Sequence, residues 1–362
     1  MKRRSDIKVL VLDGTPRDRG RIHGEALKPM ILESLERWKY LLGQRFKRSV
    51  DRLIDQLVEK TNFLAAAKKW TPQLLDEVKG IAEGAGLDFN LVFALQLMDE
   101  WIWCLQSRAQ NTVERCSSLG CFKEGDRPAL VAQNLDWLNY IEGLGALLHI
   151  KYPESTLESL VPTVAGMIGT CGLNNRPLGI CTNALWEFAN NSIDGLPTTF
   201  IVRAVLEQPN LNTAVDFIHK IKHASAENYL IGDSEQVVDY ECTANKISQH
   251  IPYEGALRVY HTNHPLVNDD VIFPPKKPPL TSTTHNRFNY LVKRLKDPTK
   301  NITIETVKYI LSSHEGSVCV HHNYQPLAGY TFCSVICSLS HSPVLYLAMG
   351  PPCSNEYKSF RF

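Results

Sequence analysis

The chain has 362 residues, 44% of them hydrophobic and 21% charged, with 39 Lys and Arg against 38 Asp and Glu for a formal net charge of +1. This is the balance of a folded globular protein: there is too much apolar material for a disordered chain, and no basic excess of the kind a nucleic-acid binder carries. No run approaches the roughly 20 apolar residues that span a bilayer, and the apolar stretch at residues 9–12 is too short for a signal-peptide core, so the expectation is a cytoplasmic protein without a membrane span.

In chain order, residues 7–12 read as a strand. Residues 25–42 carry Leu27, Met30, Ile31, Leu35, Trp38, Leu41 and Leu42 at helical spacing, and residues 49–66, 72–84 and 94–104 continue in that style. Past Cys116 the texture changes. Short apolar runs at 129–133, 146–152, 164–168, 179–182, 237–240, 331–339 and 344–348 alternate with Gly, Asn and Pro turns and predict antiparallel strands. Helices are predicted over 201–207, 211–221, 285–296 and 304–312, and the proline-rich run 273–279 reads as an extended loop. A helical front followed by sheets covered by helices predicts an α+β layered fold. The ten Cys are scattered, which in a reducing compartment reads as small buried hydrophobes with one or two reactive thiols.

Five segments carry chemistry-bearing residues. Cys116 stands where the helical half meets the sheet half. Cleavage of the bond before it would give it a free α-amine of pKa about 8, able to act as base for its own thiol; taken alone, it also reads as an ordinary buried Cys. In Gln133-Asn134-Leu135-Asp136-Trp137, Asp136 suits an orienting acid and Asn134 a backbone or oxyanion partner, or both close a strand-end turn. Gly172-Leu173-Asn174-Asn175 reads as a hairpin or as a substrate-facing loop. His261-Thr262-Asn263-His264 offers a His-x-x-His pair or, in Asn263, an amide donor to an oxyanion. That pair has no nearby cluster of Cys or carboxylate ligands at the spacing of a closed zinc site, and His321-His322 is likewise a weak metal candidate, so no metal is expected. Arg287 falls in the first turn of a predicted helix, as a surface charge or as a buried partner for Asp136 or a substrate carboxylate.

Taken in order, these segments are similar to the acyl-coenzyme A:6-aminopenicillanic acid acyltransferase family of N-terminal-nucleophile hydrolases. Gly14-Thr15-Pro16 and Arg19-Gly20-Arg21-Ile22-His23-Gly24 open the series, followed by Cys116-Ser117-Ser118. Gln133 to Trp137, Gly172 to Asn175, Thr182-Asn183 and His261 to His264 come next, then Ser313-His314-Glu315-Gly316 with Cys319, and Gly350-Pro351-Pro352-Cys353 last. The resemblance implies a four-layer αββα fold with two stacked antiparallel sheets between helical layers. It implies self-cleavage between Arg115 and Cys116 into an α-chain (1–115) and a β-chain (116–362) that together form one composite domain. It also implies roles: Cys116 as nucleophile, Asp136 as orienting acid, Asn263 as oxyanion donor and Arg287 as a further catalytic residue, with Asn134, Trp137, Asn174 and Asn175 around the substrate. One departure is Arg115, where the family carries Gly; Gly tolerates the backbone strain of self-cleavage better than Arg does. A Gly-Cys pair occurs instead at Gly120-Cys121.

The expected activity is hydrolysis or transfer at small N-acyl amines through a thioester, without a cofactor and with acyl-coenzyme A as a possible co-substrate. The alternatives are an amidase of the bile-salt-hydrolase or ceramidase kind, and an uncleaved relative that acts by binding.

Overall fold

The computed structural model describes residues 7–46, 49–97, 99–105, 116–185, 190–270, 282–321 and 329–362. Arg115 and the proline-rich run 273–279 lie outside them, as does His322. The front half contains β1 (Lys8–Leu12), α1 (Pro16–Phe46), α2 (Val50–Glu59), α3 (Phe63–Trp70), α4 (Pro72–Ala85), α5 (Phe89–Leu95) and α6 (Glu100–Leu105). Then come β2 (Ser117–Cys121), β3 (Ala129–Leu138), β4 (Gly145–Lys151), β5 (Glu158–Val164), β6 (Gly172–Asn174) and β7 (Gly179–Ala184). Two helices, α7 (Thr198–Leu206) and α8 (Leu211–Lys220), precede β8 (Glu227–Gly232), β9 (Val237–Cys242), β10 (Ile247–Gln249) and β11 (Arg258–His261). The chain continues through α9 (Thr284–Leu295), α10 (Ile304–Leu311), β12 (Gly329–Leu339), β13 (Val344–Met349) and β14 (Lys358–Phe360).

The strands form an eight-stranded sheet, β1-β4-β5-β6-β7-β8-β9-β10, and a six-stranded sheet, β11-β2-β3-β12-β13-β14. The two stack through β2 and β3 against β7 and β8. Helices α1 and α7 cover the larger sheet, and α9 and α10 cover the smaller. This is the αββα layering expected. Strand β3 is buried along its whole length, because one face meets the other sheet and the opposite face meets helices. The expectation of purely antiparallel sheets needs one correction: β1 runs parallel to β4. A strand separated from its partner by a long helical excursion is free of the hairpin constraint that enforces antiparallel pairing.

Two sequence features bind the front half to the rest. In α1, Leu27, Ile31, Leu35, Trp38 and Leu42 form a buried stripe, as their spacing predicts. The glycines of the Arg-Gly-Arg-Ile-His-Gly segment serve a different purpose. A side chain on Gly20 would stand 2.0 Å from the Glu77 carbonyl oxygen, and one on Gly80 would stand 2.2 Å from that of Arg17. Helices α1 and α4 thus meet backbone to backbone, which only glycine permits. Beside this seam Arg203, on α7, makes a bidentate pair with Glu77 at 2.8 and 3.0 Å, and both side chains are fully buried. His23 accepts from the Gly166 amide at 3.0 Å. Burial holds the His23 imidazole down to about 4, with the Arg203 charge adding to the effect against the pull of Glu77, so it stays neutral as that acceptor role requires.

Gly80→Ala is expected to force the two helices apart and to lower stability by about 1–3 kcal/mol or more. Denaturant titration checks this; an unchanged midpoint would mean that the close contact carries no energetic weight.

Candidate active site

Cys116 immediately precedes β2, and Ser117 pairs with Asn134 on β3, so the Cys116 thiol lies beside the end of the Gln-Asn-Leu-Asp segment. The thiol faces the Asp136 carbonyl at 4.0 Å. On the other side β11 pairs with β2, His261 opposite Ser118; continuing that antiparallel register brings Asn263 alongside Cys116. Arg287 reaches the same point from the first turn of α9. Its guanidinium donates to the Cys116 carbonyl oxygen, to Ser117 Oγ at 3.0 Å, to Asn263 Oδ1 at 2.8 Å and to Thr283 Oγ1 at 3.1 Å. The structure therefore brings together Cys116, Asp136, Asn263 and Arg287 from four separate segments of sequence.

Each is held by identifiable partners. Asp136 Oδ1 accepts from Thr331 Oγ1 at 2.6 Å, across the β3–β12 pairing that sets the two residues opposite one another. Asn263 has a fixed amide orientation: Arg287 can only donate, so Oδ1 faces it, and Nδ2 donates to the Ala184 carbonyl at 3.0 Å. The Asn263 amide N–H donates to Thr284 Oγ1 at 2.9 Å. Both serines after Cys116 are engaged, Ser117 with Arg287 and Ser118 with Asn183 Oδ1 at 2.6 Å.

A cleft opens over Cys116. It is lined by Asp136 and Trp137 on one side, by Thr182 and Ala184 from β7, by Thr198, Thr199 and Val202 from α7, and by Asp99 and Glu227. The buried Trp137 indole N–H finds no acceptor among the described residues, which makes it a candidate donor to substrate. Asn263 and Arg287 stand behind this lining, one hydrogen bond from it. The three other predicted substrate residues are placed elsewhere. Asn134 donates to the Leu311 and Val318 carbonyls at 2.8 and 2.9 Å. Asn174 closes its own turn, accepting from the Arg176 and Leu178 amides while donating to Leu206 O. Asn175 bridges to Glu158 N and Thr156 O. All three side chains bind backbone, and none lines the cleft.

Sequence reasoning passed over several acidic groups. Burial, and after it the negative charge of Glu100, pushes the Asp99 carboxyl up to about 8. Glu100 accepts from Thr198 N and Ser225 Oγ, each at 3.0 Å, anchoring the start of α7 where it borders the cleft. Glu241, on β9, ties down the His-Thr-Asn-His loop: it accepts from His261 Nε2 at 2.8 Å and from the Val267 and Asn268 amides at 3.1 and 2.7 Å. His261 also pairs its Nδ1 with the Thr262 carbonyl at 2.7 Å. Burial opposes the charged imidazolium, but Asp239 and Glu241 overcome it and raise the His261 pKa. His264 is held to about 3 by burial, then by the neighbouring His285, His261 and Arg287. Its Nδ1 lies against Thr284 Oγ1 at 2.9 Å while His261 Nε2 faces Glu241, so both rings of this His-x-x-His pair are engaged in holding the loop. The signal for Glu241 was its spacing from Asp239: on a strand the two share one face, and that face is buried here.

Comparison with known proteins follows the same lines. The family model described as "Acyl-coenzyme A:6-aminopenicillanic acid acyl-transferase" matches residues 122–341, a span that holds Asp136, Asn263 and Arg287 and begins just after Cys116. Protein dcd1A of Dictyostelium discoideum is 24% identical over 230 residues, 56% of this chain and 50% of that protein; the chain spans about half the length of this curated relative. Among solved structures, a Caenorhabditis elegans ortholog of N-acylethanolamine-hydrolyzing acid amidase aligns with 62% of this chain and 92% of its own, at 14% identity and a TM-score of 0.45. A variant of the conjugated bile acid hydrolase from Clostridium perfringens aligns with 68% of this chain and 97% of its own, at 13% identity and a TM-score of 0.45. Among the described residues no helix is long and apolar enough to cross a membrane. With more than half of its length matched by the family model, the chain belongs to the acyl-coenzyme A:6-aminopenicillanic acid acyl-transferase family.

Proposed function

We propose that the chain is a self-processing cysteine amide hydrolase or acyltransferase that acts on small N-acyl amines. The observation that carries this reading is the placement of the Cys116 thiol at the cleft, with Asn263 and Arg287 fixed beside it by mutual hydrogen bonds.

In the proposed reaction the bond between Arg115 and Cys116 is hydrolysed first, water giving Arg115 its new carboxyl and Cys116 its free α-amine. That amine takes the thiol proton. The sulfur attacks the substrate carbonyl carbon, and the oxyanion that develops is met by the Asn263 Nδ2 hydrogen. The carbon–nitrogen bond breaks, the leaving amine takes the proton back, and a thioester remains on Cys116. Water resolves it to an acid, or a second amine resolves it to a new amide; acyl-coenzyme A would load the same thioester with the coenzyme thiol as leaving group. Arg287 acts as a positioning residue, because its contacts hold the Cys116 carbonyl and the Asn263 amide in register. Asp136, held by Thr331, orients the α-amine in this reading. The Asp99 carboxyl, raised to about 8 and so able both to donate and to accept near neutral pH, lines the cleft with Glu227, which suits a substrate amide that both donates and accepts. The test is amine release from a panel of small N-acyl amines, with and without acyl-coenzyme A. The proposal expects turnover by the wild-type chain; no turnover of any member by cleaved protein would argue for a binding role.

A further inference from the structure

Two of the family-like segments, Ser313 to Gly316 with Cys319 and Gly350 to Cys353, take no part in the cleft. They meet each other instead. The ligand-capable atoms of His314, Cys319, His321 and Cys353 all lie within 4.8 Å of one another. His314 Nε2 and His321 Nε2 stand 3.1 Å apart, and His321 Nε2 is 2.8 Å from Cys353 Sγ. Four-coordinate zinc, with Zn–N of about 2.0–2.1 Å and Zn–S of about 2.3 Å, spaces its ligand atoms by roughly 3.3–3.8 Å along the edges of a tetrahedron. The group is thus convergent on the scale that one such ion needs, and its two thiols and two imidazoles are the donor set zinc prefers over magnesium or calcium.

We propose that His314, Cys319, His321 and Cys353 form a structural zinc site. The backbone between the first two ligands is shaped for convergence. Gly316 and Ser317 both adopt left-handed conformations, at φ 71° and 64°, and Ser317 is the one non-glycine with positive φ among the described residues. A strained turn of this kind persists where the surroundings over-determine it, and here it folds His314 back over Cys319, whose amide donates to Ser313 O at 2.9 Å. Cys319 is buried while the other three ligands are exposed, which leaves the ion an open path from solvent. All four positions are filled by protein, so the site is of the closed, structural kind. The ion would pin the segment before β12 to the loop after β13.

The clip adjoins the active-site scaffold. Val320, between two ligands, exchanges hydrogen bonds with Thr331, the residue that holds Asp136. Val318 accepts from the Asn134 amide. The expectation that no metal binds rested on ligands close together in sequence, whereas here Cys353 joins the group from a distant segment.

The test is the zinc content of the full chain, purified under reducing conditions after expression with added zinc. One zinc per chain is expected in the wild type. The double variant His314→Ala, Cys353→Ser is expected to hold at least about tenfold less; both replaced residues are exposed, and circular dichroism confirms that the variant is folded. Cobalt(II) in place of zinc should give the intense visible bands of tetrahedral thiolate coordination in the wild type and not in the variant. Wild-type protein with reduced thiols that binds neither zinc nor cobalt would overturn the proposal. So would full zinc retention by the folded double variant, or a Cys319–Cys353 disulfide that persists under the purification conditions.

Discussion

Cys116→Ala is expected to lower amide turnover by about 10⁴- to 10⁶-fold, the scale on which removing a covalent nucleophile acts. The reasoning is local. Cys116 lies at the cleft beside Asn263 and Arg287, and no other described Cys lines that cleft. The nearest competitor in sequence, Cys121, ends β2 with its side chain buried; burial pushes its thiol up to about 12. A thiol so rarely ionised is a poor nucleophile. Cys121→Ala should therefore keep turnover within a few fold of the wild type. Steady-state rates of the two variants decide the matter. Loss of activity in Cys121→Ala with retention in Cys116→Ala would reverse the assignment.

The second large effect concerns Asn263. Its side-chain amide is oriented by two contacts, the Arg287 guanidinium on Oδ1 and the Ala184 carbonyl on Nδ2. In the proposed reaction it donates to the oxyanion, and so stabilises charge that develops only in the transition state. Asn263→Ala in cleaved enzyme should lower kcat by about 10²–10³, or ~3–4 kcal/mol, and leave KM nearly unchanged. Self-cleavage also passes through a tetrahedral species, so the variant must be confirmed as cleaved before rates are compared. Arg287→Lys should show a smaller loss of the same kind, because an ammonium cannot reproduce the forked contacts to Cys116, Ser117 and Asn263 at once. A normal kcat in cleaved Asn263→Ala would reduce Asn263 to a structural role in its loop.

Much of this was legible in the sequence, for physical reasons that differ from part to part. The stripe of α1 announced itself because it buries one periodic face, and the apolar runs of β3, β12 and β13 because those strands are buried along most or all of their length. Strands β2, β8 and β11 did not, since Ser117, Asn228 and His261 interrupt their apolar pattern with polar groups whose side-chain partners lie on other elements. The run 164–168 was expected as a strand; in the structure β5 ends at Val164 and the chain turns at Gly166, whose φ is 93°. The predicted helix over 94–104 is split into α5 and α6, and Gln96, between them, donates to the Val92 and Gly166 carbonyls. For the site, the ordered motifs brought Cys116, Asp136, Asn263 and Arg287 to attention. They could not separate a cleft-facing Trp137 from the scaffold amides of Asn134, Asn174 and Asn175, because an Asn that caps a turn and one that meets a ligand carry the same side chain. Thr331 and Asp99 were out of reach, as their importance comes from contacts between distant segments that one-dimensional spacing does not encode.

The central claim is that Cys116 becomes a chain start and then carries the acyl group. Intact-mass spectrometry of purified wild-type protein, before and after brief exposure to a chromogenic acyl ester, tests it most directly. The account predicts two species, residues 1–115 and 116–362, with one acyl group added to the fragment that begins at Cys116 and lost on treatment with hydroxylamine. A chain that stays full length, or a fragment that begins at Cys121 and carries the acyl group there, would contradict it.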